Sequence, residues 1–498
     1  MNSITTLNGM NCNRGLAEDF GVSFRLARFE VVFCASFCFL FCILYLVGQQ
    51  SIFPWVILLM DVLMLSMRKS SVPVLCSALL VGNELASILI LLIWMAMSRD
   101  INLKLISTCR FDKGVLALIS LIFAASFAQA WRAGTIANII LSGTYLLIVA
   151  FVAFACSQSI TYRRALGSAV CFVIAEFIVS LFICFKNGFE PGDLHYGTLG
   201  NAHFFGIACS LFLLLVLHAV FKQKVISLTY AFALIAMLGF MMWEADAKAA
   251  IGAGFIALCC FLPFWAINKS RTAISIFLWT TVLVFLIGSL ALQIQDIETV
   301  LTRPDFPLHG FFNEYVYNSG LQNKFDYFMG TTSQMLNDGH IVSGYGLGTY
   351  GSRFANMLGY RFTYRDPSAI NDLAATLFKS RMIPEYAQFA SQYNQSVVDV
   401  IHSFSAVLTY PFSSLVALIG ETGLIGVFTV GVILKKSNLS VMSQMCVAFF
   451  IGACLTDLYF DHIQTTAMLL MMCAAYNQLS RSEYVNGNHS TNGIGDAL

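Results

Sequence analysis

Charge is what this sequence has least of: 28 basic and 27 acidic side chains among 498 residues, 11% in all, where soluble domains carry about 25%. That deficit excludes an ordinary water-soluble globule. A net charge of +1 gives no basic face for nucleic acid, and no nucleic-acid partner is expected. The fifteen cysteines form no C-x-x-C pair, and none occurs between Cys260 and Cys446. A long segment that avoids free thiols fits export to an oxidising compartment. No Walker phosphate loop, H-E-x-x-H or other metal-ligand spacing occurs, so neither a metal nor a cofactor is expected.

What the chain has instead is apolar sequence, 58% of its residues. Runs near 20 residues recur from end to end, each long enough to cross ~30 Å of hydrocarbon as a helix. They are continuous rather than alternating, which points to helices and not a barrel. The expected fold is all-α, a polytopic transmembrane helix bundle. Thirteen candidate spans lie at 29–48, 51–67, 72–97, 114–130, 135–156, 165–185, 201–221, 225–243, 249–266, 273–294, 407–434, 441–459 and 463–479. The first reads as a retained helix, because no A-x-A cleavage site follows it. Cys34, Cys38 and Cys42 share one of its faces and read as small packing residues.

Arg163/Arg164, Lys222/Lys224, Lys269/Arg271, Lys435/Lys436 and the basic loop from Arg99 to Lys113 fall in alternate loops. The positive-inside rule makes these cytoplasmic and places 295–405 on the other side. Thirteen crossings would leave Arg14, Arg25 and Arg28 outside. Twelve, with 51–67 or 72–97 re-entrant or lying flat, keep both ends inside and are preferred. The division is then 1–294, N-terminal spans; 295–405, one large extracytoplasmic loop; 406–479, C-terminal spans; and 480–498, a disordered cytoplasmic tail.

Four polar clusters fall on the non-cytoplasmic side. "HYGTLGNAHFFG" (195–206) holds His195, Asn201 and His203. It reads either as a glycine turn with an Asn cap or as a helix N-terminus suited to phosphate. "WEADAKAAIGAG" (243–254) sets Asp246 and Lys248 before Gly252 and Gly254. These are interfacial charges or functional groups beside closely packing helices. The loop carries Lys324 and the cluster "GYGLGTYGSRFANMLGYRF" (344–362), followed by Tyr364 and Arg365. Tyr345, Tyr350, Tyr360 and Tyr364 offer flat faces for sugars; Arg353, Arg361 and Arg365 offer forked donors for phosphate or carboxylate; glycine admits a ligand close to backbone. A folded cap with solvated charges is the plainer alternative. Finally, His402 stands last before the chain returns to the membrane, either a structural histidine or a general base.

"GTLGNAHF", the small-residue stretch around Lys248, "GYGLGTYGSRFA", "LVALIGETGLIG" and "DLYFDHIQTTAMLLMM" resemble, in that order, the O-antigen ligase and polymerase superfamily of Wzy/WaaL-like membrane glycosyltransferases. The resemblance covers roughly residues 195–479. It implies about twelve spans with a periplasmic cap in a bacterial inner membrane. It implies metal-independent, inverting transfer of a glycan from undecaprenyl diphosphate: an acceptor hydroxyl attacks the anomeric carbon and the lipid diphosphate leaves. The implied catalytic residues are His402 as base, with Lys248 and Arg353 on the diphosphate. His195, Asn201, His203, Asp246, Lys324, Tyr350, Arg361 and Arg365 are the implied substrate-binding set. The match has gaps. Asn201-Ala202-His203 stands where members commonly read Asn-Pro-Asn, Ala247-Lys248 where many have Ser-Arg, and the usual histidine slot falls on Phe412.

The expected function is an O-antigen or exopolysaccharide polymerase joining lipid-linked repeat units. The alternatives are a ligase moving the glycan to lipid A core or protein, and a transporter of lipid-linked sugars. Expected partners are the undecaprenyl-diphosphate-linked glycan, the lipid bilayer, and a chain-length regulator and flippase of the same pathway. A transporter commonly shows internal repeats and mid-membrane charges; no clear repeat is visible.

Overall fold

The computed structural model describes residues 28–66, 71–97, 101, 112–133, 136–189, 197–199, 202–245, 248–268, 272–294, 332, 335–348, 413–455 and 462–492. Among the described residues there are helices and turns but no strands. Ser142–Ser159, Tyr162–Asn187, Ala202–Phe221 and Ser414–Lys436 are long and apolar enough to cross a membrane, and shorter apolar helices accompany them. Large apolar side chains stand outward on many of these helices; Phe185, Phe232 and Ile267 are 77%, 75% and 82% exposed. In water such surface would be an aggregation hazard; for a helical membrane protein it is the face that meets lipid.

The helices fall into two compact units. The first is built around α7 (Tyr162–Asn187), against which pack α1 (Arg28–Leu46), α3 (Ser71–Leu80), α8 (Ala202–Phe221) and α9 (Leu228–Glu244). Thr161 caps α7, accepting from the Arg164 N–H at 3.2 Å. The first half of α7 is small and buried: Ala165, Gly167, Ser168, Ala169, Cys171 and Ala175. Small residues let helices approach closely in a medium that gives no hydrophobic drive between them. Two of the three cysteines on one face of α1 use this approach, with Cys34 and Cys38 directing their thiols to the carbonyls of Cys171 and Ala175.

The expected span at 72–97 is two helices. After α3 the chain breaks at Val81–Asn83 and resumes as α4 (Glu84–Met97). Asn83 caps the new start, its Oδ1 accepting from the Ala86 N–H at 3.0 Å. The ten residues of α3 reach about 15 Å, half of a hydrocarbon core. α2 (Phe53–Ser66) packs on both halves.

The second unit holds α5 (Lys113–Ala133), the body of α10 (Lys248–Asn268), α11 (Ala273–Ile294), α12 (Ser414–Lys436), α13 (Val441–Cys454) and the described part of the long polar segment; α6 (Ile136–Ser159) leads from this unit into the first. Gly254 of α10 meets the Phe449 ring of α13, where an added Cβ would lie 2.6 Å away, whereas Gly252 faces open space. Of the two glycines expected to pack, one does. Ser413 caps α12 through the Val416 N–H and donates to the Cys454 carbonyl at 2.8 Å, tying α12 to the end of α13. The last helix, α14 (Ile463–Asn492), runs on well past residue 480, where the sequence turns polar.

Asp112 fixes the relative sides of this unit. Its Oδ1 accepts from the Gly114 and Val115 N–H groups at the start of α5, and Oδ2 pairs with Lys436 at the end of α12, 2.5 Å away. The Lys436 ammonium, with those amides, holds the Asp112 carboxyl below its ordinary range. Two loops read as cytoplasmic from their basic residues therefore meet. Ser126 and Gln129, roughly 20–24 Å further along α5, touch the polar segment.

Candidate functional site

Two polar constructions occur in the described residues, one in each unit. In the second unit, α12 is not continuous. Gly423 has φ 62° and ψ −162°, outside helical geometry. In an unbroken helix the N–H groups of Leu424 and Ile425 would bond to the carbonyls of Gly420 and Glu421. Instead they donate to Ile341 and Val342, at 3.0 and 3.2 Å. The two freed carbonyls accept from Tyr345 and Gly346, at 2.8 and 2.9 Å. Residues 341–346 are thus inserted into the helix, and two helical rungs become four bonds to the inserted segment. A buried helix break needs such partners.

The glycines of "GYGLG" serve this insertion. Gly344, at φ 67°, lies so close to the Glu421–Thr422 peptide that a Cβ has no room. Tyr345 is 2% exposed and packs with Leu278, Val282, Leu415, Val416 and Ile419. Its hydroxyl donates to Asp338 at 2.7 Å. Of the four tyrosines read as faces for sugar, this one is core, and the backbone that its neighbouring glycines admit is the protein's own. From α5, the Gln129 amide donates to the Gly344 carbonyl at 2.9 Å and the Ser343 hydroxyl at 3.3 Å, and Ser126 Oγ accepts from the Leu347 N–H at 3.1 Å.

In the first unit, the turn Gly197-Thr198-Leu199 sits on Glu176, a carboxyl wholly buried in α7. The Thr198 N–H donates to the carboxyl oxygens at 3.2 and 3.0 Å. The Thr198 hydroxyl contacts Glu176 Oε1 and also donates to the carbonyl of Leu80, the last residue of α3. Gly197, at φ 56°, leaves the volume that Glu176 Oε2 fills. Gly82, in the α3–α4 break, lies against the other side of the turn, where a Cβ would fall 2.6 Å from the Thr198 carbonyl oxygen. The turn is held between a buried acid and a helix break. Three residues later α8 begins, with His203 half-buried in its first turn.

Of the residues expected at the site, His203 alone has a described side chain. Lys248 opens α10 by its backbone. His402, Arg353, His195, Asn201, Asp246, Lys324, Tyr350, Arg361 and Arg365 lie outside the described residues. Sequence reasoning passed over Glu176, and with it Asp61 of α2, which is also fully buried. Each is a single carboxylate inside an apolar run ("FVIAEFIVS", "ILLMDVLML"), the kind of residue that is rare in a span and marks a site by default. No family model matches the chain, and neither a curated protein nor a solved structure matches it.

Proposed function

We propose that this chain is a membrane glycosyltransferase of the polysaccharide-polymerase type. It joins oligosaccharide repeat units carried on undecaprenyl diphosphate, at the periplasmic face of a bacterial inner membrane, by metal-independent inversion. The observation that supports this best is the insertion of residues 341–346 into α12. It ties "GYGLG" to "IGETG", two motifs that carry the family resemblance and lie far apart in sequence. A polar cap over a lipid-diphosphate site must be anchored to the helices it covers, and this interlock is such an anchor. On this reading Lys248 and Arg353 hold the diphosphate as it leaves, and His402 takes the acceptor proton. The remaining predicted residues grip the glycan. Metal is unnecessary because lysine and arginine neutralise the departing charge.

The test is reconstitution. Purified protein in liposomes, given the lipid-linked repeat unit alone, should yield a ladder of longer lipid-linked glycans. Transfer only when lipid A core or an acceptor protein is added would make it a ligase. Movement of substrate across the bilayer without new glycosidic bonds would make it a transporter.

The topology has its own test. Alkaline phosphatase fused within 349–400 should be active, and fused after Lys436 inactive, since the Asp112–Lys436 pair lies at the end of α5 away from the polar segment. The reverse pattern would remove the periplasmic assignment and the mechanism with it.

A further inference from the structure

Glu176 and Asp61 share an arrangement that their surroundings make chemically specific. Each carboxyl contacts a hydroxyl, and each hydroxyl also reaches a backbone carbonyl of α3: Glu176 to Thr198 to Leu80, and Asp61 to Ser77 to Val74. A hydroxyl has one proton to give. If Thr198 donates to Leu80, whose carbonyl ends a helix and has no helical partner, its contact with Glu176 Oε1 needs a proton from the acid. Oε2 then accepts the Thr198 N–H, and every polar atom of the group is paired. An ionised Glu176 would leave two oxygens in close contact with no proton between them. Asp61 points the same way. Ser77 lies 2.9 Å from the Val74 carbonyl, and Asp61 Oδ1 has no hydrogen-bond partner among the described residues, an arrangement that would leave a buried charge uncompensated.

Among the described residues, the titratable groups facing Glu176 are thiols: Cys38 from α1, Cys76 from α3 and Cys209 from α8. Cys76 faces Asp61 as well. From α9, Glu244 meets Cys184, about two turns further along α7. Among these described neighbours there is no cation to compensate an ionised carboxylate.

We propose that Glu176 and Asp61 are neutral, proton-bearing acids that position the 197–199 turn and α3, each donating into a hydroxyl relay that ends on an α3 carbonyl. They are positioning residues, and the ligand each site takes is a proton. The consequence for catalysis, through the turn that precedes α8, rests on the polymerase reading; the protonation state does not.

Infrared difference spectra of the purified protein at about pH 7 test the proton directly. Wild type minus Glu176→Gln, and wild type minus Asp61→Asn, should each show loss of a protonated carboxylic C=O band; loss of carboxylate bands instead would overturn the proposal. Thr198→Val should shift the Glu176 band, because its acceptor is gone, and an unshifted band would overturn the relay. In the polymer assay, Glu176→Gln should retain most activity, since its amide can donate to Thr198 Oγ and accept the Thr198 N–H, while Glu176→Ala loses at least tenfold. A folded Glu176→Gln protein as inactive as the alanine variant would mean that the ionised carboxylate is required, and the proposal fails. If wild type makes no polymer, the polymerase reading falls and the infrared result stands by itself.

Discussion

Gly423→Ala is expected to remove folded protein from the membrane, or to leave it unable to hold the inserted segment. With φ 62° and ψ −162°, the position lies in backbone space that side chains avoid, at a cost of about 1–3 kcal/mol. The new methyl group would also enter the Val342 carbonyl and come within 2.6 Å of the Gly344 nitrogen. The Val342 carbonyl accepts from the Ile425 N–H, one of the bonds that replace the helical rungs, so it cannot step aside without unpairing a buried amide, at about 1–3 kcal/mol more. The sum reaches at least ~2 kcal/mol, a large part of the 5–15 kcal/mol that stabilises a typical domain. Gly344→Ala should behave alike, because its Cβ meets the Glu421–Thr422 peptide from the other side. Gly252→Ala is the internal control, since that glycine faces open space. The readout is thermal stability in detergent, by loss of the monodisperse peak. A Gly423→Ala protein as stable as Gly252→Ala would show that the break in α12 is not needed.

Lys248→Ala is expected to abolish polymer at normal protein level. Lys248 is the first residue of α10, and a helix start offers amide donors and a favourable dipole to an anion. On the polymerase reading, its ammonium meets the charge that develops as diphosphate leaves. Removing one such donor typically costs ~10²–10³ in rate, enough to erase a ladder. Lys248→Arg should retain part of the activity, with the charge kept and the geometry changed. Chain-length distributions on gels, set beside immunoblots, decide it. A wild-type ladder from the alanine variant would take Lys248 out of the site.

Helix positions were legible in the sequence wherever an apolar run stood between polar loops: the expected 165–185, 201–221 and 273–294 appear as Tyr162–Asn187, Ala202–Phe221 and Ala273–Ile294. Run length alone hides breaks. The turn at Val81–Asn83 interrupts a run that stays apolar on both sides, and the readable signal was Gly82-Asn83-Glu84, a cap placed inside it. Gly423 was harder to find, because a glycine in a transmembrane helix is ordinary and what breaks this one is a segment more than 70 residues upstream. The glycines of residues 344–348 stand out in the sequence, but the sequence leaves open what they let approach. Composition cannot tell a backbone that admits sugar from one that admits another backbone. Glu176 and Asp61 were visible as lone acids in greasy sequence, and their meaning came only from the hydroxyls that fold onto them.

The gap in α12 also sets an order of assembly. Residues 341–346 leave the ribosome roughly 4–16 s before the helix that receives them, at about 5–20 residues per second. Until both are in place, the four backbone groups at the gap have only one another. In hydrocarbon each unpaired group costs several kcal/mol, so α12 must enter the bilayer as an unbroken rod, with Leu424 and Ile425 bonded to Gly420 and Glu421. The exchange follows later, when the waiting segment displaces those two rungs. On this reasoning, closing the gap in α12 is a step that follows entry of the helix into the bilayer. Any variant that stiffens α12 around Gly423 should accumulate a correctly inserted form whose last zipper has not closed.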